Sequence, residues 1–317
     1  MMTDIRVGTS GWNYPAGEGT WNGIFYPTQP ARRPRGAKKF DELRFYAEHF
    51  DTVEINSTFY RVPSAVTSAS WAERTPANFE FSLKLYQKFT HPKMFEKATG
   101  GDAASLGRKD VDEFRAAIDP IARAGKLGAL LAQFPPSFKD DAESRAYLEI
   151  LLEQFRDYRV AVELRHRSWS DRLRETAELL GEYGAAWTQI DEPKFRESIR
   201  QNLMPDVGTF YYLRLHGRNA AQWWRHDKSE DRYNYLYSAS ELKPFAEAAE
   251  AASEKVEKAY LYANNHFSAK SVANAAILKH DLGQDLPGAY PPEFLERYPD
   301  LKGIVKELPP SLLDTPS

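Results

Sequence analysis

Side chains that can carry acid–base and anion-binding chemistry recur at the ends of short apolar segments in this sequence. Glu163 and Arg165 lie two residues apart in one such segment, and Arg214 and His216 lie two residues apart in another. Because side chains alternate between the two faces of a strand, each pair is predicted to share a face. A carboxylate near an imidazole can transfer protons, and a guanidinium binds phosphate or carboxylate through charge-assisted hydrogen bonds. The spacing therefore predicts one polar site assembled from several strands.

Three residues are the predicted catalytic groups. Glu163 and His216 form the predicted proton-transfer pair, and Glu54 is expected to hold an arginine or lysine in place. The predicted ligand-binding residues are polar and aromatic side chains near the strand ends, namely Ser10, Trp12, Asn56, Tyr60, Lys84, Gln133, Arg165, Asp191, Arg214, Arg218, Asn264, Asn265 and His266. Within that set Lys84, Arg165 and Arg214 would orient an anion, and Asn56, Asn264 and Asn265 would contact hydroxyl groups.

A salt-bridge network that only fills the protein interior is the alternative interpretation of these charges. It would pair two sets of equal size, Lys84, Arg165 and Arg214 with Glu54, Glu163 and Asp191. Burying a charge costs several kcal/mol unless it is paired, and aliphatic side chains would fill the same space without that cost. The number of charged groups therefore favours a ligand site.

Metal and glycosidase chemistry are further interpretations. The set Glu54, Glu163, Asp191, His216 and His266 offers oxygen and nitrogen ligands for a divalent metal, although no H-E-x-x-H or H-x-H spacing occurs. Two carboxylates on different strands are also the pattern of glycoside hydrolases. The chain has no cysteine, which excludes thiolate nucleophiles and cysteine-ligated metals. No G-x-G-x-x-G or P-loop motif occurs, so no organic cofactor is predicted.

Eight strand-like segments alternate with helix-like segments along the chain. They cover residues 5–9, 52–56, 79–84, 127–133, 160–165, 185–191, 210–216 and 259–264. Between them, apolar residues recur every three or four positions, which is typical of amphipathic helices. This alternation predicts an α/β fold with a single (β/α)8 TIM-type barrel over residues 1–282. In such barrels the site lies at the C-terminal ends of the strands, where the polar candidates are expected to converge.

Three regions exceed a minimal barrel. Residues 13–39 form a long first βα loop that includes the basic run 32–39, and residues 218–237 form a second aromatic-rich loop over the mouth. Residues 283–317 form a proline-rich C-terminal extension, which is expected to pack on the barrel in an extended form. A weaker helical pattern covers residues 193–202.

Composition limits the classes of partner. The 317 residues carry 42 Lys and Arg against 45 Asp and Glu, so no overall positive field attracts a polyanion. No apolar run approaches the roughly 20 residues needed to cross a bilayer. The stretch from Met1 to Val7 lacks the apolar core of a signal peptide. A cytoplasmic protein with no membrane partner is therefore expected.

Ordered motifs along the chain resemble the YecE-like family, catalogued as domain of unknown function 72. The motifs are VGTSGWNYP, FYP, FDTVEINSTFYRVPS, FEFSLK, the TH of residues 90–91, LAQFPPSF, VAVELRHRSW, YLRLHGR and YANNH. The resemblance extends from residue 5 to about residue 282. It implies a TIM-type barrel and no assigned reaction. A likeness of that family to endonuclease IV-type barrels is one of fold, and the histidines here do not match the multi-histidine metal set of those enzymes.

The favoured functional hypothesis is a hydrolase, lyase or isomerase that binds a small polar or anionic substrate, such as a phosphorylated or carboxylated sugar-like compound. One alternative is a nucleic-acid-binding or endonuclease IV-like phosphodiester-processing barrel, because the basic run 32–39 and the aromatic residues could contact phosphates and bases. Another is a non-catalytic ligand-binding protein. The residues leave open whether a metal is bound and which oligomeric state the chain adopts.

Overall fold

A ring of parallel strands forms the centre of the fold. The computed structural model describes residues 3–28, 40–100, 107–200, 208–225, 227–228 and 230–309. The strands of the ring are β1 (Asp4–Ser10), β2 (Thr52–Ile55), β3 (Glu80–Lys84), β4 (Leu127–Gln133), β5 (Val160–Glu163), β6 (Ala186–Trp187), β7 (Gln189–Asp191), β8 (Tyr211–Leu215) and β9 (Lys258–Ala263). They lie side by side in the order β6-β5-β4-β3-β2-β1-β9-β8-β7, and neighbouring strands pair in parallel.

The predicted sixth strand is divided into two short strands. β6 and β7 flank Thr188, and β6 pairs with β5 whereas β7 pairs with β8. The backbone N–H of Thr188 donates to the carbonyl of Val162 at 2.9 Å, which keeps the interruption attached to β5. The ring is therefore nearly closed, and the predicted TIM-type barrel is confirmed.

Helices surround the strands. They are α1 (Glu42–Ala47), α2 (Ser57–Tyr60), α3 (Ala65–Glu73), α4 (Gln87–Thr90), α5 (Pro92–Thr99), α6 (Arg108–Arg123), α7 (Ala142–Gln154), α8 (Arg167–Asp171), α9 (Leu173–Glu182), α10 (Ala220–Trp223), α11 (Ala239–Ser253), α12 (Lys270–Asp281) and α13 (Pro292–Arg297). The sequence specifies several of their starts. Ser238 and Glu241, for example, form a capping box at the start of α11.

The weak helical pattern over 193–202 does not form a helix within its described residues. Ser198 instead bridges His166, and the N–H of Ile199 donates to the carbonyl of Arg165 at 2.8 Å. Pairing of the chain with the end of β5 replaces helical hydrogen bonds there. Across the described segments, no helix combines the length and apolarity required to cross a membrane.

The barrel interior on the N-terminal side of the polar rim is filled mainly by small and aromatic side chains. The buried cluster consists of Ala129, Leu131, Ala161, Ala186, Phe210, Tyr212, Tyr260 and Tyr262. Alanines on β4, β5 and β6 leave room for the large rings on β8 and β9, which gives complementary volumes across the barrel. We call this cluster the tyrosine layer. It separates the N-terminal end of the barrel from the polar C-terminal rim.

A tyrosine hydroxyl from α1 connects β1 and β2. The Tyr46 hydroxyl accepts from the N–H of Thr9 at 2.9 Å and donates to the carbonyl of Thr52 at 3.0 Å. Tyr46→Phe leaves both buried backbone groups without this partner, and we expect it to lower the free energy of unfolding by about 1–3 kcal/mol. Urea unfolding at neutral pH measures the change. Equal stability of the two proteins would contradict the bridging role.

The described part of the C-terminal extension contains regular structure. Residues 289–290 form β10 (Ala289–Tyr290), which pairs in parallel with β11 (Lys306–Glu307), and α13 lies between them. Tyr290 and Phe294 pack on Phe25, with ring centroids at 5.9 and 5.8 Å. The Tyr298 hydroxyl donates to the carbonyl of Ser268, just after β9. The extension therefore contacts both the first loop and the segment that follows the last strand of the barrel.

Candidate functional site

The guanidinium of Arg214 joins the C-terminal ends of several strands. Arg214 lies on β8 and is 1% exposed. Its Nη2 donates to Oε1 of Glu54 at 2.7 Å, and its Nη1 donates to Oε2 of Glu163 at 2.6 Å. Nη1 also donates to Oε1 of Gln133 at 3.0 Å. One arginine thus links β2, β4, β5 and β8, because a parallel barrel brings these strand ends to one rim.

Glu54 is bound through both carboxylate oxygens. The Ser10 hydroxyl donates to Oε1 at 2.7 Å, and the Tyr212 hydroxyl donates to Oε2 at 2.6 Å. Together with Arg214, these donors satisfy a carboxylate that has no exposed surface. Glu54 therefore holds Arg214 in a fixed position above the tyrosine layer.

The predicted proton-transfer pair lies beside Arg214 and is fully buried. Arg165 Nε donates to Oε1 of Glu163 at 2.7 Å, and Nε2 of His216 lies 3.4 Å from the same oxygen. Nδ1 of His216 lies 2.8 Å from the amide nitrogen of Asn264. The structure thus brings Glu163 and His216 together, but neither has measurable solvent exposure.

The protonation states of this pair follow from burial and from the two arginines. Burial alone would raise the pKa of Glu163, but the charges of Arg165 and Arg214 outweigh burial and hold that pKa well below its usual range. Burial lowers the pKa of His216 to about 3, although Glu163 acts in the opposite direction. At neutral pH Glu163 is therefore a carboxylate and His216 a neutral imidazole.

A cavity of about 210 Å³ opens at the same rim. It is lined by Tyr14, Asn56, Tyr60, Lys84, Gln133, Arg214, Tyr233, Asn264 and His266. Cationic and amide groups suit a polar ligand, and the tyrosine rings supply flat apolar surface. Two larger cavities, of about 520 and 580 Å³, lie elsewhere and are not lined by the Arg214 network. We call the 210 Å³ space the rim cavity and treat it as the candidate site.

Lys84 occupies an unusual position in the rim cavity. It ends β3, and its Nζ lies 3.8 Å from the centroid of the Phe59 ring. Within the described residues this Nζ donates no hydrogen bond and forms no ion pair. Burial, followed by the nearby charge of Arg214, lowers the pKa of Lys84 to about 7, while Glu163 acts in the opposite direction. Near neutral pH the amine is therefore divided between charged and neutral forms.

His266 forms another wall of the rim cavity. Its ring stacks on Tyr14 with centroids 4.3 Å apart and an interplanar angle of 11°. Nδ1 of His266 is buried and has no hydrogen-bond partner within the described ranges. Burial lowers the pKa of this histidine to about 3, so the imidazole that faces the ligand space is neutral.

Two of the predicted residues turn away from the rim cavity after their strands. Trp12 packs against Trp71 in an edge contact with centroids 5.9 Å apart. The Asn265 side chain donates to Oδ1 of Asn274 at 2.7 Å, whereas its neighbour Asn264 faces His216. Both residues therefore support loops around the mouth and do not contact the cavity.

Asp191 and Arg218 form a separate cluster beside the rim. Arg218 Nε donates to Oδ2 of Asp191 at 2.7 Å, and the Tyr237 hydroxyl donates to the same oxygen at 2.7 Å. Arg218 also pairs with Glu241 at 3.1 Å. These contacts fix the segment that follows β8 to the start of α11.

Of the predicted ligand-binding residues, seven line the rim cavity, namely Asn56, Tyr60, Lys84, Gln133, Arg214, Asn264 and His266. Ser10 and Arg165 bind the carboxylates of Glu54 and Glu163 and do not line it.

Four residues of the site were missed by the sequence reasoning. Tyr14 and Tyr233 line the rim cavity from loops, and Phe59 lies under Lys84. Glu192 lies 3.5 Å from Nη1 of Arg165, and burial raises the pKa of this carboxyl. Tyr14 lies within the motif VGTSGWNYP and within the predicted first loop, and Tyr233 lies within the predicted second loop, but neither was predicted to line the site. Loop residues such as Tyr233 carry no periodicity that would indicate their direction.

The residues that suggested a metal, glycosidase or nucleic-acid site differ in what the structure shows of them. Within the described residues, no group of three His, Asp or Glu side chains is arranged to hold a metal ion. Glu54 and Glu163, the two candidate glycosidase carboxylates, both bind Arg214. The basic run 32–39, which motivated nucleic-acid binding, lies outside the described residues.

Comparison with known proteins identifies the family. A match to the family described as "Protein of unknown function DUF72" spans residues 6–295. The chain belongs to this DUF72 family. The resemblance predicted from the motifs is confirmed, and the DUF72 match continues past residue 282, the predicted end of the barrel domain. UPF0759 protein YunF of Bacillus subtilis is 26% identical over 295 residues, which is 90% of this chain and 98% of YunF. UPF0759 protein YecE of Escherichia coli K12 is 29% identical over 126 residues, 39% of this chain and 41% of YecE.

Solved structures of DUF72 proteins share the barrel. A DUF72 protein from Thermotoga maritima, solved at 2.20 Å, has a TM-score of 0.72 and 34% identity, covering 89% of this chain and 100% of that one. A DUF72 protein from Enterococcus faecalis, solved at 3.10 Å, has a TM-score of 0.73 and 25% identity, covering 89% and 96%. These similarities support the fold described above.

Proposed function

We propose that this chain is an enzyme that binds a small anionic, polyhydroxylated substrate in the rim cavity. The observation that carries the proposal is Lys84, a buried cation without an ionic partner among the described residues. A buried ammonium is costly unless it is paired, so a ligand anion would supply the missing partner. A phosphate or a carboxylate has the required charge.

The neighbouring charges leave Lys84 available. Glu54 and Glu163 are each bound by Arg214, and Glu163 is also bound by Arg165. Neither carboxylate lies within ion-pair distance of the Lys84 ammonium. An incoming anion would therefore meet the positive side of the network, formed by Lys84 and Arg214, and would not need to displace a protein carboxylate from Lys84.

The rest of the lining supports a sugar-like ligand. Asn56, Gln133 and Asn264 present amide groups that can donate to or accept from hydroxyls. Tyr14 and Tyr233 provide rings against which the carbon skeleton of such a ligand would pack. A compact compound with one anionic group and several hydroxyls matches this combination.

Within this proposal Glu163 and His216 position other groups. Glu163 is a carboxylate that orients Arg165 and Arg214, and neutral His216 packs against Glu163 behind them. The groups that would contact substrate are the lining residues, above all Lys84. A cytoplasmic site of action, as expected from the sequence, belongs to the same proposal.

Thermal unfolding with matched ligand pairs tests the anion site. Glycerol 3-phosphate and erythronate are compared with glycerol and erythritol, which lack the anionic group. At 100 times its Kd a ligand stabilises the folded state by about 2.7 kcal/mol, so we expect the anions to raise Tm by a few degrees.

Two lysine variants provide the controls. Lys84→Met should lose the response to the anions, whereas Lys88→Met should keep it, because Lys88 pairs with Asp110 at 2.7 Å and does not line the rim cavity. Equal responses to charged and neutral compounds, or an unchanged response in Lys84→Met, would contradict the proposal. Binding of an anion without turnover of any carbonyl, phosphate or hydroxy-acid substrate would favour the non-catalytic alternative.

A further inference from the structure

Lys84 differs from the other well-shielded lysines of the described chain. The Lys126 ammonium donates to the carbonyls of Ala72 and Thr75 at 2.6 and 2.7 Å. Lys258 pairs with carboxylates at 2.5 and 2.7 Å, and Lys279 donates to an amide oxygen at 3.1 Å. Each of these side chains has acceptors that stabilise its charged form. Lys84 has an aromatic ring and the cation Arg214 instead.

Burial and the nearby charge of Arg214 favour the neutral amine, whereas the face of the Phe59 ring and the charges of Glu163 and Glu54 favour the ammonium. Both forms are therefore present near neutral pH: the charged fraction would attract the anion, and the neutral fraction would react with the carbonyl.

The absence of hydrogen-bond acceptors and the proximity of a second cation both destabilise the ammonium. These are the conditions that make a lysine nucleophilic toward carbonyl groups. With a pKa of about 7, Lys84 has a free-amine fraction at neutral pH about a thousand times that of an ordinary lysine. Neighbouring Lys88 has an aromatic ring within 5.5 Å as well, but it also has Asp110 at 2.7 Å. Lys88 therefore has an ionic partner, which Lys84 lacks among the described residues.

The position of Lys84 also gives the amine a reaction space. It lines a cavity of about 210 Å³ whose wall also includes Arg214, and the positive charge of that guanidinium favours an anionic substrate there. Asn56, Gln133 and Asn264 line the same cavity and can hold hydroxyls. A carbonyl carbon of a short anionic compound would therefore lie within reach of Nζ while its charged end is bound.

We propose that Lys84 is a catalytic nucleophile that forms an imine with an aldehyde or ketone group of a small anionic substrate. This inference rests on the proposed function and specifies its substrate class. Together, the proposed function and this inference exclude a hydrolase from the three predicted reaction classes and leave a lyase or an isomerase. An imine to the enzyme withdraws electrons from the adjacent carbon, where a C–C bond can then break or a proton can be removed.

The covalent step is balanced without an oxidant or a metal. The nitrogen lone pair of Lys84 attacks the carbonyl carbon, a proton passes from nitrogen to the former carbonyl oxygen, and a carbinolamine results. The hydroxyl group then takes up a second proton and leaves as water as the C=N bond forms, and the nitrogen releases its remaining proton, so that both protons of the amine are accounted for by the water. The net change is one amine and one carbonyl converted to one imine and one water.

Reductive trapping tests the step. The folded protein is incubated at pH 7 with glyceraldehyde 3-phosphate or glyoxylate in the presence of sodium cyanoborohydride, and intact-protein and peptide mass spectrometry follow. We expect one reduced adduct per chain, located at Lys84, with labelling at least about tenfold above that of any other lysine, because an ordinary lysine is almost wholly protonated at this pH. Lys88→Met should label as the wild type does, and Lys84→Met should lose the adduct.

A parallel measurement separates this inference from the proposed function. Glycerol 3-phosphate and glycolate carry the same anionic groups without a carbonyl, and their effect on Tm reports the anion site alone. Stabilisation by these two compounds without a Lys84 adduct would overturn the imine step and leave the anion site in place. Labelling spread over surface lysines, or unchanged labelling in Lys84→Met, would also overturn it. Loss of both responses would overturn both proposals.

Discussion

Arg214→Leu is expected to lower the free energy of unfolding by about 3–5 kcal/mol, because it removes the cation that two buried carboxylates share. Glu54 and Glu163 have no exposed surface, and Arg214 contacts them at 2.7 and 2.6 Å. Typical domains are stable by only about 5–15 kcal/mol, so this loss is a large fraction of the total. Urea unfolding at pH 7 measures it.

Two further variants show whether unpaired charge is the cause. Arg123→Leu removes an arginine whose ion pair with Asp119 is largely exposed, and we expect a change below about 1 kcal/mol. Arg165 still pairs with Glu163 in Arg214→Leu, whereas Glu54 loses its ionic partner. Combining Arg214→Leu with Glu54→Gln removes this unpaired charge and should recover part of the loss. A double variant less stable than Arg214→Leu by the full cost of Glu54→Gln alone would show that the two residues act independently.

Lys84→Met is expected to raise the free energy of unfolding, by about 2–4 kcal/mol at pH 6. An ordinary lysine has a pKa of 10.5, whereas burial lowers the pKa of Lys84 to about 7 in the folded protein. The unfolded chain therefore binds this proton more tightly, and folding carries its full cost below pH 7. The cost decreases as the pH rises from about 7 and disappears above 10.5. Methionine is similar in length and carries no charge, so it avoids the cost at every pH.

The pH dependence is the decisive part of that measurement. The charged groups that face Lys84 are Arg214, Arg165, Glu163 and Glu54. All of them remain in the variant, so the difference between the two proteins isolates Lys84. Unfolding at pH 6 and pH 9 should show a larger gain at pH 6. A gain that is independent of pH, or a loss at pH 6, would show that Lys84 is charged and well solvated in the folded state.

The barrel and the convergence of its polar rim could be predicted from sequence because both follow from simple geometry. Alternation of apolar strands and amphipathic helices specifies a parallel sheet, and parallel strands bring Glu54, Glu163 and Arg214 to one edge. Strand alternation also explains why the side chains of two predicted asparagines point in different directions. Asn264 and Asn265 are adjacent, so only one of them can face the interior.

The direction of loop residues and the choice of ionic partners could not be predicted in this way. Gly11 has a φ of 89°, and the chain turns there so that Trp12 packs against Trp71. The sequence allows Asp191 to pair with Arg165, Arg214 or Arg218. Only the three-dimensional arrangement shows that the partner is Arg218. Whether Lys84 has an ionic partner depends on the positions of all the side chains around it, which come from several strands. No local sequence pattern can therefore predict it.

If the chain is the enzyme proposed above, the tyrosine layer constrains the order of substrate binding and product release. Because Tyr212, Tyr260 and Tyr262 fill the barrel below Glu54, the described interior offers no passage toward the opposite end. A ligand that enters the rim cavity must leave through the same opening, so a bound product prevents the next substrate from binding. In the proposed reaction, release of the product would therefore precede binding of the next substrate.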